Sequence, residues 1–200
     1  SGSKVYDGSD AVLAAELTTH AGLIGSETVT LSGSTTTAGS GGAQKNVAND
    51  VGIVANATGI TVANGSNGGL AANYTLTGGT HETDITKKDF SIALARQYDA
   101  TNQAKPNSGD SATTETFSGL VSVSGTAETL TLGGTNGTVS NANATGSAQA
   151  VTIGGLTVGN GSGASASSGG LIANYNLTGT TLTISPRVLT SSGSRFYDGT

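Results

Sequence analysis

The chain contains no cysteine, no methionine and no tryptophan, and only two prolines. Without cysteine there can be no disulfides and no thiol chemistry, a composition that suits a protein exported unfolded through a narrow pore. Aromatic residues make up 4%, so any core must be built mainly from Val, Ile, Leu and Ala with one or two tyrosines, and it must be thin. Charged residues are 10%, with a net charge of −5. No Lys/Arg cluster reaches the density of a nucleic-acid or anionic-membrane surface, and neither partner is expected. No run approaches the roughly 18 consecutive apolar residues of a membrane span, so membrane insertion is not expected. No signal peptide opens the chain, and the expectation is a segment of something larger, with Ser1-Gly2-Ser3 as a cloning remnant.

What the chain has in quantity is glycine, 32 of 200 residues, among abundant Ser, Thr and Asn. That composition alone would suggest disorder. The apolar residues, however, fall in alternating runs, and the runs are duplicated. A tyrosine–aspartate landmark recurs as Tyr6-Asp7-Gly8, Tyr98-Asp99-Ala100 and Tyr197-Asp198-Gly199, at intervals of 92 and 99 residues (98 − 6 and 197 − 98). Such a period is domain-sized, unlike the units of about 20–50 residues that stack into solenoids. The spacing predicts a first repeat domain over 1–87, a second over 88–187, and a seam strand over 188–200 that opens a third.

Within each copy the order is the same. After Tyr6, Asp10 to Leu17 has the composition for one or two helical turns, but its counterpart contains Pro106, so a loop or strand is expected. Thr28-Val29-Thr30-Leu31 and Thr129-Leu130-Thr131-Leu132 alternate with period 2, the pattern of a half-buried strand. Small-residue tracts follow, with Asn136-Gly137 as a hairpin signal. Next come Asp50–Val54 and Gly59–Val62, matched by Ala150–Ile153 and Gly155–Val158. The loops 64–69 and 159–170 lead into the strongest internal match, Gly69 to Gly78 against Gly170 to Gly179. There Tyr74 and Leu76, like Tyr175 and Leu177, share one face of a strand. The predicted core is Val29, Leu31, Ile60, Val62, Tyr74 and Leu76 in the first copy, and Leu130, Leu132, Leu156, Val158, Tyr175 and Leu177 in the second. The strand Phe90–Ala95 and its C-terminal equivalent Val188-Leu189-Thr190 lead into the second and third landmarks. Either assignment, to the preceding or to the following domain, is open; the latter leaves 188–198 to add to an open edge on another molecule.

The K-V-Y-D-G opening, the T-V-T-L strand, the A-x-N-Y-x-L-T-G strand and the closing T-I-x-P-R tail together resemble the YDG-type repeat found in tandem within large secreted bacterial adhesins, especially filamentous-haemagglutinin-like exoproteins. The similarity covers nearly the whole chain, twice. Ala100 departs from the glycine of the other two landmarks, and Lys87 replaces the proline found at Pro186. The resemblance implies an extracellular or bacterial cell-surface location. It also implies neighbouring repeats as partners, and a host glycan or matrix protein as the ligand of the parent adhesin.

Candidate chemistry is sparse. His20 and His81 have no counterpart in the second copy, so a duplicated domain is not built around either as a catalyst, and no enzyme is expected. The recurring Asp7, Asp99 and Asp198 could ligate Ca²⁺ with Asp10 or Asp110, but no EF-hand or nonapeptide pattern is present. The favoured reading is a turn, with the carboxylate on local N–H groups and the glycine in the left-handed position. Tyr6, Tyr98 and Tyr197 read as packing residues with hydroxyls at a polar rim. Lys4, Lys45, Lys87, Lys88 and Lys105 are not equivalently placed, which argues against an isopeptide bond, and no P-loop occurs. No metal or other cofactor is expected. Asn56, Asn64, Asn73, Asn136, Asn143, Asn160 and Asn176 each open an N-x-S/T sequon, and adhesins of the kind resembled are in some cases glycosylated at such sites.

The fold expected is all-β, two tandem small antiparallel sandwich-like domains, with a parallel β-helix as the alternative. The function expected is a non-catalytic stalk or spacer that projects a distal binding region. The alternative is a carbohydrate- or protein-binding adhesive module acting through loops such as 159–170.

Overall fold

The computed structural model describes residues 1–38, 44–54, 57–76, 82–104, 113–134, 137–164 and 170–194. Tyr197, Asp198, Asn56, Asn136, His81, Lys105, Pro106 and Asp110 lie outside these residues. The chain is all-β. Its strands are β1 (Gly2–Val5), β2 (Ala11–Leu13), β3 (Val29–Thr36), β4 (Ala48–Gly52), β5 (Ile60–Asn64), β6 (Glu82–Thr86), β7 (Lys88–Gln97), β8 (Thr114–Ser118), β9 (Ser122–Val123), β10 (Thr126–Ala127), β11 (Leu130–Gly134), β12 (Ala148–Ala150), β13 (Leu156–Asn160) and β14 (Tyr175–Ser185). Three-residue 3-10 turns at Ala14–Glu16, Ala71–Asn73 and Ile172–Asn174 are the helical elements among the described residues.

The first repeat forms two three-stranded sheets, β1-β6-β4 and β2-β3-β5. The Thr-Val-Thr-Leu alternation lies in β3, antiparallel to β5 with Leu31 opposite Val62. Its last turn is constrained by close backbone approach. Gly33 has φ +92, and a Cβ there would lie 2.3 Å from the Gly59 carbonyl oxygen. The same constraint recurs in the second copy at Gly134, φ +80, where a Cβ would lie 2.0 Å from the Gly155 oxygen. Only glycine meets both demands. The other sheet differs from the antiparallel expectation: β4 and β6 are antiparallel with a bulge between Ala48 and Val51, but β1 and β6 run parallel, Gly2 opposite Thr83 and Val5 opposite Thr86.

In the second repeat β12, β14, β7 and β8 form a four-stranded sheet, β11 pairs with β13, and β9 with β10 makes a short hairpin. Among the described residues no stack of parallel coils forms, so the β-helix alternative is set aside. The strand leading into each landmark lies beside the closing strand of its own repeat, β1 beside β6 and β7 beside β14. Residues 188–194 carry no strand, and Val188 and Leu189 are exposed.

By contacts the chain divides into two compact units, one of residues 1–91, 117–131 and 158–178 and the other of 92–116, 132–157 and 179–200. These do not coincide with the sequence repeats: residues 88–91, 117–131 and 158–178 of the second repeat group with the first repeat. The core differs from expectation in the first copy. Val29, Leu31, Ile60, Val62, Tyr74 and Leu76 are only half-buried, and the buried centre is Val12, Leu17, Ile53 and Ala57, against which Leu31, Ile60 and Leu76 pack. In the second copy Leu130, Leu132, Leu156 and Tyr175 are buried, whereas Val158 and Leu177 are half-buried.

Candidate functional site

The landmark is a strand end followed by a turn that a buried cation holds from beneath. Tyr6 N–H donates to the Thr86 carbonyl at 2.8 Å, continuing the β1–β6 pairing. The chain then reverses through Gly8, φ +73. Lys4 is 3% exposed, and the three donors of an ammonium group go to the Ser9 carbonyl at 3.2 Å, the Ala11 carbonyl at 2.5 Å and the Asp7 carboxylate at 2.9 Å. The same Asp7 oxygen accepts the Ser9 N–H at 2.9 Å. A buried cation is tolerable only when so satisfied.

The second landmark repeats the construction with a different cation. Tyr98 N–H donates to the Ser185 carbonyl at 2.9 Å. Arg96, 3% exposed, bonds the carbonyls of Gln97, Thr101 and Gln103 at 3.0, 2.8 and 3.0 Å and Asp99 at 2.5 Å. Asp99 also accepts the N–H and hydroxyl of Thr101, each at 2.9 Å. Its burial, which by itself would raise the carboxyl pKa, is outweighed by Thr101 and Arg96, so the group is held below the ordinary value of 3.8. Ala100 occupies the position of Gly8 and keeps the left-handed backbone, φ +64. Both carboxylates thus serve their own turns. Among the described residues no group of three His, Asp or Glu side chains could hold a metal ion.

Tyr6 reaches past its own repeat. Its hydroxyl donates to Glu128 Oε1 at 2.7 Å, and the Tyr175 hydroxyl donates to Glu128 Oε2 at 2.6 Å. Val121 N–H donates to the Tyr175 hydroxyl at 3.0 Å, and Glu128 N–H returns to the Val121 carbonyl at 2.8 Å. Tyr6 and Phe90 both meet the Tyr175 ring edge-on, with centroids 5.5 and 5.8 Å away. Tyr6, Tyr175 and Glu128 are 1, 3 and 8% exposed. Burial, reinforced by the carboxylate of Glu128, raises the phenol pKa of both tyrosines well above the ordinary value of 10.0. Beside them the buried Asn174 accepts the Val47 N–H at 3.0 Å and donates to Asn46 at 2.8 Å. Tyr6, Asn46 and Val47 belong to the first sequence repeat, and Glu128, Asn174 and Tyr175 to the second. The cluster is a joint.

The first repeat carries the receiving half of the same device. Tyr74 donates to Glu27 Oε2, and Ile24 N–H donates to the Tyr74 hydroxyl at 3.2 Å. The hydrogen bond to Glu27 raises the Tyr74 pKa. Here Tyr74 and Glu27 are half-buried and Asn73 is exposed, and Ile24 is 73% exposed.

The remaining candidates are dispersed. His20 is exposed and lines a cavity of about 370 Å³ with Leu17, Thr19, Leu31, Ile53 and Glu82. Ser162, Gly163, Ala164 and Gly170 of the long second loop line a cleft of about 280 Å³ with residues 126–129. Asn64, Asn73, Asn143, Asn160 and Asn176 are all exposed. Asn64 and Asn160 accept backbone N–H bonds from Ala71 and Ile172, and Asn176 donates to Asp89. Sequence reasoning singled out the tyrosines but assigned no role to Lys4, Arg96, Glu27, Glu128 or Asn174. The signal was present: a basic residue stands two before each landmark tyrosine, at Lys4, Arg96 and Arg195, and both E-T-x-T-L strands open on glutamate. No family model, curated protein or solved structure matches the chain.

Proposed function

We propose that the chain is a pair of non-catalytic stalk repeats from a secreted or surface-bound bacterial adhesin, of the YDG type that its motifs resemble, spacing a distal binding region from the cell. The observation that carries this reading is the buried Tyr6–Glu128–Tyr175 joint. It is made from residues that recur in each copy, so every added repeat brings both a tyrosine to give and a glutamate–tyrosine pair to receive. A stalk needs joints that resist bending. Two charge-assisted O–H bonds closed off from water provide directional restraint that a flexible linker lacks.

The rival reading, an adhesive module for carbohydrate or protein, has a place to act in the cleft formed by residues 126–129 with Ser162, Gly163, Ala164 and Gly170. A glycan array and a pull-down with host matrix proteins separate the two. The stalk reading expects no saturable binding. Saturable binding that is lost on substituting Ser162 and Ala164 would replace it with the adhesive module.

A further inference from the structure

We propose that the Glu27–Tyr74–Ile24 cluster is an unfilled socket whose occupant is the Tyr98-Asp99-Ala100 turn of a second copy of this chain. The pattern is the joint already described. In the second repeat the glutamate has two phenol donors, Tyr175 on Oε2 and Tyr6 on Oε1. In the first repeat Tyr74 takes the place of Tyr175 on Glu27 Oε2, with Ile24 N–H in the place of Val121 N–H. Among the described residues nothing donates to Glu27 Oε1. Around it Ile24 and Leu70 are 73 and 51% exposed, an apolar rim where Val121, the counterpart of Ile24, is buried.

Tyr98 is built to be delivered as Tyr6 is. Each tyrosine closes a strand by donating its N–H to the last strand of its repeat, 2.8 Å for Tyr6 and 2.9 Å for Tyr98. Each is followed by an aspartate that salt-bridges a buried cation two positions upstream of the tyrosine.

The residue after the aspartate fits Tyr98 to this socket rather than to that of the second repeat. At Gly8 a Cβ would lie 2.6 Å from Val123 Cγ2 and 3.0 Å from Val121 Cγ1, so the socket of the second repeat demands glycine. Val123 belongs to the β9–β10 hairpin, and six residues separate Val121 from Glu128 where two separate Ile24 from Glu27. The first repeat therefore has no counterpart of Val123. An alanine at this position, which Val123 excludes from the second socket, has no such side chain to strike in the first. The contact joins different surfaces on the two partners, so it is heterologous and propagates head to tail.

The inference rests on the stalk reading, since it treats the joint as repeated, but it is tested separately by mass. Sedimentation of the full chain up to about millimolar concentration suits a small interface of this kind, which is expected to be weak. The weight-average mass should rise with concentration in wild type and stay that of one chain in Glu27→Ala and in Tyr98→Ala. An equimolar mixture of the two variants should form dimers and stop there, because each supplies the half the other lacks. That rescue also shows both variants to be folded. Tyr98→Phe, which removes only the hydroxyl, should weaken association about tenfold, the equivalent of one charge-assisted hydrogen bond. A wild type that stays monomeric, a mixture that stays monomeric, or association lost in Tyr197→Ala but kept in Tyr98→Ala would each overturn the proposal. A monomeric wild type together with empty glycan and matrix assays would leave the stalk reading standing without this contact.

Discussion

Two equivalent positions show how much a single backbone angle decides. Gly8 and Ala100 hold the same left-handed turn, φ +73 and +64, but an L-residue there is strained by about 1–2 kcal/mol. Ala100→Gly should therefore raise stability by about 0.5–1 kcal/mol, the strain relieved less the added freedom of the unfolded chain. Gly8→Ala should lower it by about 2–4 kcal/mol, because the methyl also strikes Val121 and Val123. Urea titrations of the two variants check both signs, and equal effects would mean that the turns are not equivalent. The titratable groups set a second expectation. Tyr6 and Tyr175 have folded-state pKa values above the ordinary 10.0, so their neutral hydrogen-bonded forms contribute stability that is complete below pH 10 and lost as pH rises further. Asp99 is shifted the opposite way; its contribution is present above about pH 3.8 and lost as pH falls through its lowered value. Melting temperature should therefore hold through neutral pH and fall on both sides, and Tyr6→Phe should blunt the alkaline fall. An alkaline limb unchanged in Tyr6→Phe would remove Tyr6 from the account.

At the scale of elements, the strands repeat more faithfully than their burial does. Leu132 is 7% exposed in β11, while Leu31, its counterpart in β3, is only half-buried. Leu132→Ala should cost about 2–4 kcal/mol and Leu31→Ala less than about 2, measured by denaturant unfolding. A larger loss at Leu31 would mean that the first repeat has the better core. The alternation over 28–31 and 129–132 was legible because it is local: β-branched residues at period 2 report a strand wherever its partners lie. The segment 73–76 was harder. Both copies place a 3-10 turn before the tyrosine, at Ala71–Asn73 and Ile172–Asn174, yet Tyr74 begins no described strand, whereas Tyr175 opens β14. Tertiary partners decide the difference, since Phe90 and Tyr6 pack on Tyr175.

For the whole molecule, the duplication could be read from sequence, but the way one copy grips the next could not. Tyr6 and Glu128 are 122 residues apart, and no periodicity connects them. From sequence Tyr6 reads as a packing residue with its hydroxyl at a polar rim. It is instead the residue one repeat contributes to the next, with the lysine two positions before it anchoring the turn that aims it. Glu128 has no role legible in the sequence, because a carboxylate is placed in a core only when donors unknown to the local sequence come to meet it. The central claim is that this pair carries the joint, and a double-mutant cycle of Tyr6→Phe and Glu128→Gln tests it most directly. If the hydroxyl and the carboxylate bond each other, each single substitution should cost about 1.5–3 kcal/mol. The double should then cost well under their sum, with a coupling of at least about 1 kcal/mol. Costs that add to within about 0.5 kcal/mol would show that Tyr6 does not meet Glu128 in solution and would contradict the account.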